Sequence, residues 1–445
     1  MTPELSQLFE FLRFPSISTD SAYSGDVRAC AEWLQAKLSG MGLDAQLHET
    51  PGHPIVVAKN EHRDGVPTVM IYGHYDVQPV DPVELWDSPP FEPELRDGKI
   101  WGRGSTDNKG QMFAHVLGVE KALQQGELPV NLILLFEGEE EIGSKNLPAF
   151  LEAHRDELKC DVIAVSDTGM VAPGVPTMGY GLRGITCGEV LIKGPSGDLH
   201  SGVYGGSVMN PATAIGRVIA SLHDADERVA IDGFYDDVRD LETWEREMWE
   251  TVPFGEKQYL EETGAPAAVG EAGYSVKERL WARPTAEVNG VGAGYQGEGS
   301  KTVIASEAMA KLSFRLVPDQ DPDDILRKVE AHVMKHAPEG VTVEFVPGHS
   351  GEPYLSDPNS EFGKAAQSAL AETFGREPVL IREGGSIPII NTFKSILGAD
   401  SLMLGLALPG CQIHAPNENF HVANFEAGIE LNQLLLKKLA ACSAK

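Results

Sequence analysis

Short, mostly apolar stretches set the rhythm of the first part of this chain. They fall at 55–58, 68–72, 132–136 and 161–165, each bounded by polar or turn residues. Their length and β-branching predict buried strands. Helical spacing at 110–125 and 147–158 supplies connections between the later ones, and it also marks 4–14 and 26–41. Gly40 and Gly42 give the last of these a stop signal. Continuous apolar strands alternating with helices predict a mostly parallel sheet covered on both faces. Such sheets place ligands at the carboxyl ends of their strands.

The pattern changes after Arg183. A half-alternating strand at 185–193, a helix at 210–223, a strand at 302–317, a helix at 322–336 and a strand at 341–346 follow. Strands with helices on one side predict an α+β unit of roughly 170 residues inserted into the first. Between them, the acidic and aromatic stretch 224–285 carries Trp244, Trp249, Tyr259 and Trp281 at helical spacing. It reads as core of the inserted unit or as a dimer contact. Beyond Pro353 the first rhythm resumes, with a helix at 361–374, a strand at 379–381 and a closing helix at 425–439.

Length and charge narrow the picture. At 445 residues the chain is too long for one ordinary core. A formal net charge of -30 argues against nucleic acid and against an anionic membrane, since both require a basic footprint. No apolar run approaches the roughly 18 residues a membrane span needs. The first residues lack the basic and apolar regions of a signal peptide. Five scattered cysteines without a CxxC pair fit reduced thiols, so the expected compartment is the cytoplasm.

The polar clusters follow the predicted strand ends. The run 136–144, Phe-Glu-Gly-Glu-Glu-Glu-Ile-Gly-Ser, closes a buried strand with like charges that repel unless a cation offsets them. His74 and Asp76 lie two apart on an extended segment, so the carboxylate can hold the second imidazole nitrogen, as behind a metal-ligating His. Asp107 ends a glycine-rich turn, Gly102-Arg103-Gly104-Ser105-Thr106-Asp107, which lacks the spacing of a phosphate loop. Asp167 directly follows a strand, and His414 sits far along in the stretch 410–418. Taken singly, most of these are loops. Together, imidazoles and carboxylates without thiolate suit zinc, manganese or cobalt at a catalytic site.

In this order, His74-x-Asp76, Gly-Arg-Gly-x-x-Asp107, Glu140-Glu141-x-Gly143-Ser144, Ser166-Asp167 and His414 resemble the di-zinc amidohydrolases of the carnosinase, aminoacylase and carboxypeptidase G family. The stretches 198–206, 313–318 and 382–388 bring the resemblance nearest to the cytosolic nonspecific dipeptidase and carnosinase branch. The resemblance implies a zinc-peptidase-like three-layer catalytic domain at 1–181 and 352–445, with a lid and dimerisation domain at 182–351. It implies one zinc on His74 and Asp167, a second on Glu141 and His414, and Asp107 bridging them. It makes Asp76 the carboxylate behind His74 and Glu140 the general base. His200 would stabilise the oxyanion, reaching across a homodimer. Arg315 with the Gly385-Ser386 turn would bind the substrate's terminal carboxylate.

The expected activity is therefore hydrolysis of dipeptides or short peptides with a free C-terminus. Its rivals are an N-acyl-amino-acid deacylase or desuccinylase and an inactive, metal-stabilised binding protein. The stretch 354–361 departs from the carnosinase branch by lacking its histidines, which argues against carnosine-like specificity. His48, His53, His62, His115, His154, His223, His332 and His336 lack motif partners and read as solvated or structural.

Overall fold

The computed structural model describes residues 1–126, 128–385 and 387–444. A nine-stranded sheet runs in the order Asp44–His48, Ile55–Lys59, Asn131–Glu137, Thr68–His74, Val162–Val165, Asp400–Gly405, Thr177–Leu182, Tyr354–Leu355, with Val379–Glu383 also paired to Thr177–Leu182. Its four central strands, from Asn131–Glu137 to Asp400–Gly405, are mutually parallel. The chain is a mixed α/β protein built on this sheet.

The continuous apolar runs explain why the sheet is central. Val69 and Ile71 face one core, and Met70 and Tyr72 face the other. Leu132, Leu134 and Phe136 divide from Ile133 and Leu135 in the same way. A strand apolar on both faces needs cover on both. On one side Lys109–Gln124 packs against Val422–Leu439, which in turn packs on Glu361–Phe374. On the other, Leu147–Ala153 packs against Pro388–Leu397.

A second sheet of four antiparallel strands, in the order Thr285–Ala293, Glu307–Leu316, Gly184–Lys193, Thr342–Gly351, has its own core. Burial alternates along Gly184–Lys193, and helices Pro211–Ala220 and Pro322–His336 cover the apolar face. The single strand expected at 302–317 is two, Val303–Ile304 and Glu307–Leu316, which belong to different sheets. Thr285–Ala293 had no legible signal because much of its length is exposed and it holds Glu287, Asn289, Gly290 and Gly292.

The tryptophan-rich stretch corrects one expectation. Trp249 and Trp281 belong to the core of the large sheet, not to that of the second sheet. The Trp249 indole N–H donates to the carbonyl of Leu380 at 2.9 Å, across 131 positions. Helical spacing shows that such residues are buried, but not against which neighbour.

Candidate metal centre

The strands Thr68–His74, Asn131–Glu137 and Val162–Val165 lie side by side and parallel, so their carboxyl ends meet. His74 stands opposite Glu137 in register, and Asp167 follows two residues after the third strand. Loops carry Asp107 and His414 to the same place. His74 Nε2 lies 3.2 Å from Asp107 Oδ1 and 3.7 Å from Asp167 Oδ2. His414 Nε2 lies 2.8 Å from Asp107 Oδ2 and 3.2 Å from Glu141 Oε2. Two groups result, His74–Asp107–Asp167 and Asp107–Glu141–His414, each with its ligand atoms within 4.8 Å of one another. Asp107 belongs to both and turns one oxygen to each.

The donors fit a pair of divalent cations. His74 Nε2 and Glu141 Oε1 are buried and have no hydrogen-bond partner among the described residues. A buried, unsatisfied nitrogen and oxygen facing carboxylates are costly unless something else meets them. Burial works against charge on His74, yet the carboxylates of Asp107, Asp167 and Asp76 beside it hold its pKa well above that of an ordinary imidazole. Asp107 and Glu141 push His414 up to about 10. Burial raises Asp107, but His414 and His74 outweigh it and hold the carboxyl below its usual range. The cluster thus draws positive charge strongly. Its all-oxygen-and-imidazole composition suits zinc, manganese or cobalt.

Asp76 does more than sit behind His74. Its Oδ1 lies 3.3 Å from His74 Nδ1. Its two oxygens also accept the backbone N–H groups of Glu140, at 3.2 Å, and Glu141, at 3.1 Å. One carboxylate therefore orients the imidazole and the acidic turn together. Glu140–Ile142 is a single 3₁₀ turn closed by Gly143, whose φ of 84 lies in the left-handed region that glycine adopts without steric cost. In that register Glu141 reaches the cluster. Burial raises the Glu140 carboxyl well above the usual carboxylate range, and Asp167, Glu141 and Asp76 add to the effect against the pull of His74.

The other glutamates of the run have structural work. Glu139 accepts the N–H of His53 at 3.0 Å and both the backbone and side-chain N–H groups of Asn146, anchoring the turn. Glu137 accepts the Tyr72 hydroxyl at 2.6 Å and the Ser144 hydroxyl at 2.8 Å. Burial pushes its carboxyl up to about 7.

Two supporting residues were missed in the sequence. Asn108 donates to the Ser166 carbonyl at 2.7 Å and to Asp167 Oδ1 at 2.8 Å, and its Oδ1 accepts the His74 N–H at 3.4 Å. Glu418 is completely buried and accepts from Arg103, Gly104, Thr106 and Asp107 at 2.8–2.9 Å. It ties the Asp107 loop to the His414 loop. In that second loop Gln412, His414 and Asn417 all have positive φ, a conformation that costs a non-glycine residue about 1–3 kcal/mol. The signal in the sequence for Glu418 was its own place four residues beyond His414.

The other expected residues that the structure describes are not members of the two ligand groups. His200 is exposed, and its Nδ1 accepts the N–H of Gly202 at 3.0 Å. Arg315 is in the second sheet, opposite Thr285 and Ile185. Gly385 is exposed after the strand Val379–Glu383, and Ser386 lies outside the described residues.

The comparisons agree with this fold. The model of peptidase family M20/M25/M40 matches residues 70–438. The chain belongs to that family and is a metallopeptidase-class hydrolase. It is 30% identical to the Cys-Gly metallodipeptidase dug1 of Schizosaccharomyces pombe over 99% of this chain and 96% of that protein. The M20 family metallo-carboxypeptidase Sso-CP2 of Sulfolobus solfataricus superimposes with a TM-score of 0.84 at 34% identity, covering 99% of this chain and all of that one (100%). Human carnosine dipeptidase 1 gives a TM-score of 0.80 at 25% identity, over 99% and 96% of the two chains.

Proposed function

We propose that the protein is a two-metal dipeptidase that hydrolyses the peptide bond of dipeptides or short peptides with a free C-terminal carboxylate. The observation that carries this reading is the pair of ligand groups sharing Asp107, with Glu140 beside them. Relatives named as dipeptidases along almost the whole chain support the substrate class. His74 and Asp167 would hold one cation and Glu141 and His414 the other, zinc first, with manganese and cobalt as alternatives. When bound, such ions supply a Lewis acid for the scissile carbonyl and lower the pKa of an attacking water.

The chain's own groups do the rest. The Glu140 carboxylate takes a proton from the attacking water and delivers it to the nitrogen of the leaving amine. Burial raises its affinity for that proton, so it can hold it between the two steps. Asp76 keeps Glu140, Glu141 and His74 in one geometry. Because His200 Nδ1 accepts the Gly202 N–H, the ring proton belongs on Nε2, available to a developing oxyanion. Its exposure fits supply across a homodimer built on the unit 182–351, with 1–181 and 352–445 as the catalytic unit. Arg315 and the Gly385-Ser386 turn would receive the terminal carboxylate, which a guanidinium fork matches.

Metal analysis of the purified protein, with a panel of dipeptides, dipeptide amides and N-acyl amino acids, tests the reading. Two zinc-class ions per chain and preferred turnover of free dipeptides are expected. Preferred turnover of N-acetyl or N-succinyl amino acids would replace it with the deacylase.

A further inference from the structure

The helices Thr243–Thr251 and Val276–Ala282 lie in sequence between two elements of the second sheet's unit, Pro211–Ala220 and Thr285–Ala293. Both nevertheless pack on the strand Val379–Glu383 of the large sheet. Among the described strands, Val379–Glu383 pairs with Thr177–Leu182 alone, so its other edge is open. The first helix closes it. Leu380 donates its N–H to the Met248 sulfur at 3.1 Å, and its carbonyl accepts the Trp249 indole N–H. The second helix is fastened to the first by the Arg246–Glu278 ion pair and by Lys277, which donates to the Val252 carbonyl at 3.2 Å. It backs the residue after the strand: a Cβ on Gly384 would lie 3.2 Å from the Leu280 carbonyl oxygen.

At Arg382 a buried charge pair joins helix and strand. The strand pairing slips by one residue here, with Ile381 opposite Gly179 but Arg382 opposite Gly181, so Tyr180 is the extra residue. Such a bulge re-aims side chains and is common beside active sites. The Tyr180 hydroxyl and the Arg382 guanidinium both donate to Glu245 Oε1. Arg382 Nε also donates to the Tyr180 oxygen at 3.3 Å. Glu245 Oε2 accepts the Glu242 N–H at 2.8 Å, at the start of its own helix. Both carboxylate oxygens are thus engaged, and Glu245 and Arg382 are only 1% and 3% exposed. Desolvation offsets most of the attraction in a pair this deeply buried, so it is a weak source of stability. What it supplies is a fixed geometry for the strand.

We propose that Glu245 is a positioning residue for the Gly384–Gly385 turn and acts through Arg382. This rests on the assignment of that turn to the substrate's terminal carboxylate. Glu245 itself touches no substrate. It holds the guanidinium that fixes the strand two residues before the turn, and a binding turn works only when held to within about 0.5 Å of its productive place. The acidic, aromatic stretch 224–285 thereby serves a turn of the large sheet.

The test compares Glu245→Gln, Arg382→Met, Arg382→Lys, the double variant Glu245→Gln/Arg382→Met and Gly384→Ala on alanyl-alanine and on its C-terminal amide. Metal content and thermal unfolding are measured for each. A hydrogen bond to a charged group corresponds to about 10- to 100-fold in affinity. Glu245→Gln and Arg382→Met should each raise KM for the free dipeptide about tenfold, the lower end, since the turn is displaced and not removed. Turnover number, metal content and KM for the amide should change little, so the preference for free dipeptide over amide falls. The double variant should lose no more of that preference than Arg382→Met does, because the two residues act along one route. Arg382→Lys should fall between wild type and Arg382→Met, and it serves as the readout if Arg382→Met does not fold. Gly384→Ala disturbs the turn directly and should lose the preference too. If Gly384→Ala loses it while no Glu245 or Arg382 variant does, the inference fails and the carboxylate reading stands. If no variant changes it, the assignment of the turn fails and the inference with it. Additive losses in the double variant would overturn the route through Arg382. Equal losses on both substrates, in step with lowered stability, would make the pair structural only.

Discussion

The carboxylate of Glu418 accepts the backbone N–H of Asp107 at 2.9 Å, across 311 positions of sequence. The same carboxylate takes the N–H groups of Gly104 and Thr106 and the guanidinium of Arg103. The loop that presents the shared ligand is thus shaped by a residue four places beyond His414. Glu418→Gln replaces one acceptor oxygen with a donor facing donors. We expect it to lower stability by about 2–3 kcal/mol. Chemical denaturation checks this, and calorimetric titration should show weakened metal binding at both ligand groups.

Asp76→Asn keeps the shape but removes the charge that orients His74 and one acceptor for the Glu140–Glu141 turn. Loss of such an orienting carboxylate costs about 10–100-fold in metal affinity. The variant should show that loss in competition with a chelator, and excess metal should restore much of its activity.

Glu140→Gln separates chemistry from binding. If Glu140 moves the proton, kcat should fall by about 10²–10⁴ with metal content unchanged. Glu141→Gln should instead lose metal, because Glu141 lies 3.2 Å from His414 within the cluster. Retained activity in a metal-loaded Glu140→Gln enzyme would rule out the assigned base.

What was legible in the sequence follows from range. His74 and Asp76 could be paired because two residues on an extended segment share a face. Three of the four central strands were legible because a strand buried on both sides has no alternation to disguise it, and their ends gave the acidic run and Asp167, while the resemblance singled out Glu141 within that run. Asp107 and His414 needed the resemblance, since loop residues carry no period. Glu418 and Asn108 were not legible because their work is set by contacts with distant loops and strands. Trp249 could be read as buried, but its partner Leu380 lies 131 positions away. His200 and Arg315 fall outside the cluster, so their roles rest on the proposals above.

His115 offers a pH dependence free of the metal ligands. It is buried behind the centre, with Nε2 2.7 Å from the Ser166 hydroxyl and Nδ1 against Asn432. Burial depresses its pKa to about 4, opposed by the Asn432 hydrogen bond. The unfolded chain, with an ordinary imidazole, binds a proton that the folded protein refuses. Stability from this group is therefore complete above about pH 6.5 and falls as pH drops toward about 4. Between about pH 7 and about pH 5 the loss should be about 2 kcal/mol. His115→Gln cannot titrate, so the same pH step should cost it less by that amount. Urea unfolding of both proteins at the two pH values measures the difference, and equal slopes with pH would show that His115 does not carry it.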